Sequence, residues 1–429
     1  MPSDPPSWSE VVVVVVGGSG YLGAQLVRQL LHGSDAGDGP LPASRRYPGV
    51  RSVRVVDVQP PPSDWRHHPH ISFFAARVGG NSTLGGSSSL SYASAFEGAH
   101  VCFYVASADS RTLRYGDAYA TNVRGALDCL QLAQKYHLRA FVLTSSHNVV
   151  CAFDRDLCDA DEHTAPIPPR HRDVYSATKA EAERRILASD GRTTGVRTCA
   201  IRPAGIYGPG ERLHFNRNYQ LAKYCGFHHV RLWPHRPQCM DWVQVASLAD
   251  AHIWAAQALL TASSSSAAAA AATAVAGHAF FISDAGGPVL VQGVFESVLA
   301  AAGIPLPRWY VYVPWQLMYA FGWCMEMAAR ALADKPVLMR MEVLKAVRVH
   351  SFRYDAATAA FGYRPRFRTA DGLAHWAQRI RSGVVRLDTA VIGCDEVRRL
   401  WQQATWLLWM SLAALILLCR AGHAVLKMA

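Results

Sequence analysis

The feature that most constrains the fold is a run of six valines, Val11 to Val16, followed directly by Gly17-Gly18-Ser19-Gly20-Tyr21-Leu22-Gly23. Six β-branched residues in a row indicate a strand buried on both faces, which is typical of a parallel sheet. The residues after the glycines then have apolar side chains at helical spacing, at Leu22, Leu26, Val27 and Leu30. The sequence therefore predicts a strand, a tight turn and a helix over Tyr21 to Leu31.

The glycine positions indicate a dinucleotide-binding βα unit. Gly17 permits the tight turn, Gly20 lets the backbone approach a pyrophosphate, and Gly23 lets the helix pack against the strand. The helix N-terminus, which begins at Tyr21, offers free N–H groups and the positive end of a dipole to phosphates. We therefore take Gly17, Gly20, Tyr21 and Gly23 as candidate cofactor-binding residues. A merely structural turn is the alternative interpretation.

An acidic residue ends the second predicted strand, Val53 to Val58. Asp57 stands 34 residues after Gly23, where about 20 is usual for a carboxylate that accepts hydrogen bonds from the adenosine ribose. The intervening loop, Gly33 to Gly49, accounts for the excess. Because a carboxylate repels a 2′-phosphate, Asp57 favours NAD over NADP. A solvated strand end is the alternative.

Further strands are predicted at 71–75, 100–106, 139–144 and 196–201, and helices at 119–137 and 174–188. This alternation predicts an α/β fold with a doubly wound parallel sheet of the Rossmann type. We assign residues 10–210, completed by residues of about 240–285, to the cofactor-binding core, and 211–385 mostly to a smaller C-terminal substrate lobe. Ala106, at the end of the fourth strand, is a further candidate cofactor-binding residue.

The catalytic candidates are Tyr175 and Lys179, which lie four residues apart and on one face of a helix. The ammonium of Lys179 favours a tyrosinate and is expected to lower the pKa of Tyr175, so that the tyrosine can exchange a proton with an alcohol or carbonyl oxygen. Ser146, at the end of the fifth strand, would hold the substrate oxygen, although a strand-end serine can also cap a turn. Asn122 either holds a water in a proton relay or is a helix-start residue.

Composition restricts the remaining function classes. The net charge is +11, but the basic residues are scattered and form no run of five or more, so nucleic-acid binding is not expected. An affinity for an anionic membrane surface or an anionic cofactor fits this charge better. The ten cysteines show neither a C-x-x-C pair nor a zinc spacing, so we predict reduced thiols and no metal site.

Two segments are unusually apolar. Ala404 to Cys419 carries no charge and would form a helix of roughly 24 Å at about 1.5 Å per residue, short of the roughly 30 Å hydrocarbon core of a bilayer. Arg420 could snorkel and let the following residues finish the span. We predict a C-terminal membrane helix over 404–420, either spanning or in the membrane plane, with a buried soluble helix as the alternative. Trp309 to Met325 could line a substrate cavity, touch the membrane or form ordinary core.

With these motifs in place, the chain resembles an extended short-chain dehydrogenase/reductase of the 3β-hydroxysteroid dehydrogenase branch, and family 42E within it. The resemblance covers roughly residues 10–420 and is carried most clearly by 197–211 and by Phe280-Phe-Ile-Ser-Asp284. It implies that Ser146, Tyr175 and Lys179 are catalytic, that Asn122 assists, and that Lys179 also reaches the nicotinamide ribose. It also implies that Pro203 and Ala204 line the nicotinamide site.

The resemblance further implies NAD as cofactor and a hydroxysteroid or sterol as a hydrophobic substrate, with isomerisation after oxidation left open. It implies a membrane protein, expected at the endoplasmic reticulum with the catalytic domain facing the cytosol, and is compatible with a homodimer. Three stretches depart from the family pattern. Residues 75–80 lack an aspartate near adenine, the region after Ser107 is shorter than in the family, and residues 233–237 lack glycines. A sugar-nucleotide epimerase or dehydratase and a catalytically weak nucleotide-binding scaffold remain the alternatives.

Overall fold

The computed structural model describes residues 6–65, 67–80, 91–191, 195–211, 213–233, 238–261, 273–385, 387 and 398–407. Its strands, in chain order, are β1 (Val12–Val16), β2 (Ser52–Asp57), β3 (Ile71–Ala75), β4 (Val101–Tyr104), β5 (Ala140–Thr144), β6 (Leu157–Ala160), β7 (Arg197–Pro203), β8 (Gly205–Tyr207), β9 (Val230–Trp233), β10 (Cys239–Met240), β11 (Trp242–Gln244), β12 (Ala279–Ile282), β13 (Val289–Leu290), β14 (Val311–Pro314) and β15 (His350–Phe352).

The α-helices are α1 (Tyr21–His32), α2 (Tyr115–Tyr119), α3 (Gly125–Lys135), α4 (Val174–Ala188), α5 (Phe215–Cys225), α6 (Val245–Leu260), α7 (Val291–Ala301), α8 (Trp315–Ala331), α9 (Arg340–Lys345), α10 (Asp355–Phe361) and α11 (Thr369–Arg381). Residues 398–407 form a further helix at the end of the described chain. A π-helical turn, Ala120–Arg124, joins α2 to α3.

A seven-stranded sheet in the order β12-β7-β5-β4-β1-β2-β3 forms the centre of the protein. All neighbouring strands in it run parallel, and every residue of β1 is buried. The order reverses between β1 and β4, which is the topological switch point where ligands bind in doubly wound sheets. The predicted Rossmann-type α/β fold is confirmed.

Helices cover both faces of this sheet, as the apolar pattern of its strands requires. Helices α1 and α6 pack on one face through side chains such as Leu26 and Ile253. Helices α3 and α4 pack on the other through side chains such as Leu130 and Ile186. Both faces of the central strands are therefore in apolar cores, which explains the unbroken valine run.

The helix predicted over 119–137 differs from the observed one at both ends. It begins at Tyr115, and the π-helical turn at Ala120–Arg124 interrupts it where the buried side chain of Asn122 bonds to neighbouring segments. It ends at Lys135 because His137 takes a left-handed backbone conformation with φ +55°.

The smaller lobe contains a four-stranded sheet in the order β13-β10-β15-β6 and a parallel pair, β14-β9. Helices α5, α7 and α11 share one apolar core, which includes Phe215, Leu299 and Trp376. A cavity of about 340 Å³ lies in this lobe. Its lining is mainly apolar and includes Phe227, Val230, Leu232, Phe295, Leu299 and Met318.

Several sequence predictions fall on residues that lie wholly or partly outside the described ones. These are most of the predicted membrane helix 404–420, most of the linker 79–91, most of the Ser/Ala run 262–276, and most of the departure at 233–237. Among the helices that the structure does describe, none has both the length and the apolarity needed to cross a membrane.

Candidate active site

The glycine turn lies at the carboxyl end of β1. At Gly17 and Gly23 a side chain would collide with neighbouring backbone, whereas at Gly20 it would not. A Cβ on Gly17, whose φ is +87°, would lie 2.6 Å from the Cα of Ala106. A Cβ on Gly23 would lie 2.7 Å from the Cα of Gly18 and still closer to the carbonyl oxygen of Gly17. A Cβ on Gly20 would meet only that oxygen, at 3.3 Å. Gly20 therefore leaves space at the N-terminus of α1, which is where a pyrophosphate would approach.

Asp57 lies beside this turn. Its Oδ2 accepts a hydrogen bond from the backbone N–H of Ser19 at 2.9 Å, and its Oδ1 accepts from the backbone N–H of Gln59 at 2.9 Å. The pairing of β1 with β2 produces this arrangement, because it brings the ends of both strands to one edge of the sheet. A carboxylate so placed can receive the hydroxyls of a ribose attached to the pyrophosphate.

Tyr21 turns its ring away from the turn, toward the loop after β8. Its ring carbons lie within 3.7 Å of where a Cβ on Gly210 would stand, and its buried hydroxyl has no hydrogen-bond partner. Burial raises the pKa of Tyr21 well above its usual range, and the negative charge of Glu211 adds to the effect. The role of Tyr21 in binding a cofactor stays a prediction.

Helix α4 presents Tyr175 and Lys179 at the carboxyl edge of the sheet. Asp173 caps the helix, since its Oδ1 accepts from the backbone N–H of Ser176 at 2.7 Å. Lys179 is buried, with 2% of its surface exposed, and its Nζ donates to the carbonyl oxygen of Thr144 at 2.9 Å. Burial lowers the pKa of Lys179 to about 8.

The pKa of Tyr175 shifts in the direction opposite to the one predicted from the Tyr-x-x-x-Lys spacing. Burial raises it, and hydrogen bonds with the side chains of Ser146 and Ser107 oppose that rise, while the negative charge of Asp173 adds to it. The expectation that Lys179 lowers this pKa is therefore wrong for this structure, in which the ammonium donates to Thr144 and burial governs the phenol.

The same hydrogen bonds place Ser146 and Ser107 beside the phenol of Tyr175. Ser146 also caps the short 3₁₀ turn His147–Val150, because its Oγ accepts from the backbone N–H of Asn148 at 3.2 Å. The turn-cap interpretation of Ser146 is therefore observed. Its place beside Tyr175 is compatible with a hold on the substrate oxygen, which stays a prediction. Ser107 was not predicted, although its place just after β4 was a usable signal.

Asn122 links the loop after β4 to helix α4. Its Oδ1 accepts from the backbone N–H of Ala108 at 2.9 Å, and its Nδ2 donates to the Oγ1 of Thr178 at 2.9 Å. The residue lies inside the π-helical turn rather than at a helix start. Its amide therefore positions the segment that carries Ser107 against the helix that carries Tyr175.

A buried ion pair that the sequence analysis missed lies one turn further along α4. Glu183 and Arg202 are paired at 2.5 Å, and the other carboxylate oxygen of Glu183 accepts from the Oγ of Ser145 at 2.5 Å. Helical spacing could have predicted that Glu183 lies near this site. Tyr175, Lys179 and Glu183 follow one another at intervals of four residues and therefore share one face of the helix. The pair holds β7, and with it Pro203 and Ala204, against α4 and the end of β5.

The smaller lobe reaches this site through α9. Glu342 and Val343 of that helix line the lobe's cavity, while the side chain of Lys345 interacts electrostatically with Asp173, two residues before Tyr175. Burial lowers the pKa of Lys345, and the thiol of Cys151 and the carboxylates of Asp173 and Glu342 oppose that shift. One short helix therefore connects the apolar cavity to the start of α4.

Comparisons with known proteins show the family to which the chain is similar. Residues 14–311 match the model of the 3-beta hydroxysteroid dehydrogenase/isomerase family. The chain is 29% identical over 391 residues to short-chain dehydrogenase/reductase family 42E member 1 of Danio rerio, covering 88% of this chain and 91% of that protein. It is 28% identical over 367 residues to the decarboxylating sterol-4-alpha-carboxylate 3-dehydrogenase of Candida albicans, covering 82% and 93%.

Among solved structures, a dTDP-glucose 4,6-dehydratase from Streptomyces venezuelae, crystallised with NAD, aligns with a TM-score of 0.59. That alignment covers 88% of this chain and 100% of the dehydratase at 19% identity. A likeness at this level of identity shows a shared fold.

Proposed function

Because the chain belongs to the 3-beta hydroxysteroid dehydrogenase/isomerase family, we propose that it oxidises the 3β-hydroxyl of a steroid or sterol-like substrate with NAD. The observation that carries the proposal is the convergence of Tyr175, Ser146 and Ser107 above a buried Lys179, at the sheet edge that also holds the glycine turn. The sterol 3-dehydrogenase relative supports the reaction and the substrate class.

The residues at the switch point fit a dinucleotide. Gly20 leaves space before α1, that helix offers unpaired N–H groups to a pyrophosphate, and Asp57 stands beside the turn to receive a ribose. When bound, NAD supplies the hydride acceptor. Pro203 and Ala204, at the end of β7, would form one side of the nicotinamide site.

The protein's own part in the reaction is to bind the alcohol and move its proton. The hydroxyl of Ser146 would hold the substrate oxygen against Tyr175. Tyr175 must first lose its own proton, and the oxygen of the resulting tyrosinate would then take the hydroxyl proton as the carbonyl forms. Lys179, whose Nζ donates to the carbonyl oxygen of Thr144, would reach the nicotinamide ribose. Asn122 and the Glu183–Arg202 pair fix the segments that carry these groups.

The apolar cavity of the smaller lobe supports an apolar substrate. Its volume of about 340 Å³ lies in the range, roughly 300–1,000 Å³, of small-molecule sites. A sugar nucleotide would need basic or polar clamps for its diphosphate. Among the described residues that line the cavity, Arg231 is the one arginine or lysine, and it is paired with Glu296. The epimerase or dehydratase alternative is therefore disfavoured.

The test is turnover by the full-length protein with NAD and a panel of 3β-hydroxysterols, with and without a carboxylate at carbon 4, followed as NADH formation. Tyr175→Phe should lower turnover by about 10²–10⁴-fold, the usual contribution of a general acid–base group, and leave NAD affinity unchanged. Tyr224→Phe, at an exposed tyrosine, is the matched control. Substantial activity in Tyr175→Phe would overturn the catalytic assignment.

Membrane attachment through residues 404–420, with the catalytic domain on the cytosolic side of the endoplasmic reticulum, is part of the proposal. Its support is the charge-free stretch Ala404 to Cys419, together with the sterol-directed relative. Fractionation and protease protection of the full chain and of a chain ending at residue 403 test it. A full-length chain found wholly in the soluble fraction would contradict attachment.

A further inference from the structure

The loop between β4 and α2, residues 105–114, runs beside the phenol of Tyr175. Ser107 of this loop bonds with that phenol through its side chain. The next residue is held from the opposite direction, because the backbone N–H of Ala108 donates to the Oδ1 of the buried Asn122 at 2.9 Å. The cofactor-binding core therefore fixes the first half of the loop.

The second half of the loop is attached through Asp109. Its Oδ1 accepts from the backbone N–H of Arg111 at 2.9 Å, and its Oδ2 accepts from the Nζ of Lys335 at 2.7 Å. Burial alone would raise the pKa of Asp109, but the charges of Arg111 and Lys335 and their hydrogen bonds lower it to about 2. Asp109 is therefore charged at neutral pH and forms an ion pair with Lys335.

This ion pair joins two separate parts of the protein. Lys335 stands 226 residues further along the chain, in the connection between α8 and α9 of the smaller lobe. Helix α9, which begins five residues later, lines the apolar cavity through Glu342 and Val343. The pair therefore limits how far the loop beside Tyr175 can move away from the lobe that contains the cavity.

Helix 398–407 fixes the backbone on the lysine's side of the pair. The Nε2 of Gln403 donates to the carbonyl oxygen of Lys335 at 2.7 Å, and its Oε1 accepts from the backbone N–H of Val337 at 3.2 Å. An ion pair on a protein surface usually contributes little, because ordering two long side chains costs entropy. Here the backbone of the lysine is already held, and the side chain of Asp109 is only 15% exposed.

We propose that Asp109 and Lys335 are positioning residues for the proposed reaction, because their ion pair holds the loop so that Ser107 stays beside Tyr175. Helix 398–407 supports the pair by keeping Lys335 in reach of the loop. Both residues act through Ser107 and not on the substrate itself. The inference rests on the proposed function for its effect on turnover, whereas the attachment of the loop can be measured without a substrate.

Limited digestion of the full-length protein with trypsin measures the attachment, because the loop ends at the exposed Arg114. Lys335→Met should raise the rate of cleavage after Arg114 about threefold or more, since the pair opposes opening of the loop. Lys335 precedes Pro336, so the variant removes no site that trypsin cuts readily. Gln403→Leu should raise the rate as well. Arg353→Met, which breaks an exposed ion pair elsewhere, is the matched control and should not change it.

Turnover with NAD and the best sterol of the panel measures the positioning. Lys335→Met should lower kcat about tenfold, because a small misplacement of groups at a reacting centre slows the reaction strongly. The affinity for NAD should stay within about twofold of the wild type, since the start of the loop remains bonded to β1 through Ala106 and Val16. Lys335→Arg keeps the cation and should keep the wild-type kcat. The double variant Asp109→Asn/Lys335→Met should be no slower than the slower single variant, because both changes remove one interaction.

Each departure from these results overturns a defined part of the proposal. Cleavage of Lys335→Met at the wild-type rate would show that the pair does not hold the loop. Faster cleavage with an unchanged kcat would show that the loop does not position Ser107, and a Lys335→Arg variant as slow as Lys335→Met would exclude the charge as the cause. Wild-type cleavage of Gln403→Leu would remove helix 398–407 from the proposal. If the wild type oxidises no sterol, the proposed function fails, and the cleavage rates still decide whether the pair holds the loop.

Discussion

At the scale of single residues, Tyr175, Lys179 and Glu183 share one face of α4, and each is held differently. The phenol contacts Ser146 and Ser107, the ammonium donates to Thr144, and the carboxylate is paired with Arg202. With a pKa of about 8, Lys179 carries most of its charge at pH 7 and loses it as the pH rises past 8. The positive charge of Lys179 is therefore itself dependent on pH.

The spacing of Tyr175 and Lys179 and the strand-end position of Ser146 were sufficient to predict the three residues that the fold brings together. The direction of the tyrosine pKa could not be predicted, because it depends on burial and on hydrogen bonds from separate segments. Ser107 and Arg202 were missed for the same reason. Their contacts with α4 arise only when β4 and β7 take their places in the sheet.

Two substitutions of Asp57 can separate the effect of its negative charge on cofactor binding from the effect of its hydrogen bonds. Asp57→Ala should weaken NAD binding about tenfold or more, because the ribose and the backbone N–H of Ser19 both lose an acceptor. Asp57→Asn keeps an acceptor for Ser19 and removes the charge, so it should relax discrimination against NADP with a smaller loss of NAD affinity. Titration of both cofactors by fluorescence measures these effects. A wild-type protein that prefers NADP would show that Asp57 does not face the ribose.

At the scale of elements, the βα unit was the most predictable part of the protein because its signal is local. Valines, glycines and an amphipathic helix follow one another within the first 32 residues, and the structure has them in that order. The helix over 174–188 was also predicted with its observed ends, where Asp173 provides the cap. By contrast, the π-helical turn at Ala120–Arg124 has no sequence signal, since tertiary contacts of Asn122 accompany it.

The two glycines at the start of α1 should respond differently to the same substitution. Gly23→Ala should lower stability by several kcal/mol and abolish NAD binding, because its Cβ would collide with the backbone of Gly17 and Gly18. Gly20→Ala should leave the thermal midpoint nearly unchanged and weaken NAD binding about tenfold, since only the ligand side is filled. Thermal unfolding and NAD titration of both variants provide the comparison. Equal losses of stability would contradict this distinction.

Asp241 makes the sheet of the smaller lobe sensitive to pH. Burial raises the pKa of Asp241 to about 7, although its Oδ2 accepts from the backbone N–H of Phe352 at 2.5 Å. Because the folded state binds this proton more tightly than the unfolded state, stability falls as the pH rises from about 4 to 7. Asp241→Asn keeps the acceptor and removes the charge.

The Asp241→Asn variant should therefore be more stable than the wild type at pH 8, by about 2–4 kcal/mol, given roughly 1.4 kcal/mol per pKa unit. At pH 4 the two should be equal, because the wild-type carboxyl is then protonated in the folded state. Urea unfolding at both pH values measures the difference. A variant that is less stable than the wild type at pH 8 would show that the carboxylate is stabilising.

At the scale of the whole molecule, the sequence could not predict the hydrogen bonds that join segments far apart in the chain. Residues 33–49 were interpreted only as a loop between the first helix and the second strand. In the structure the guanidinium of Arg366 donates to the carbonyl oxygens of Ser34, at 2.7 Å, and Gly39, at 3.0 Å. Arg45 similarly donates to the carbonyl oxygen of Phe361 at 2.7 Å. Partners more than 300 residues apart leave no periodicity or spacing that a sequence analysis could detect.

Arg366 is the centre of this attachment, because its Nε also pairs with Asp250 of α6 at 2.6 Å and both side chains are fully buried. Arg366→Leu would leave a buried carboxylate without its cation and should cost about 3–5 kcal/mol of stability. It should also free the loop, so that trypsin cleaves at Arg45 and Arg46 several times faster than in the wild type. Arg364→Leu, at an exposed arginine two residues earlier, should change neither stability nor cleavage. If Arg366→Leu lowers stability but leaves cleavage at the wild-type rate, the loop is held by contacts other than Arg366.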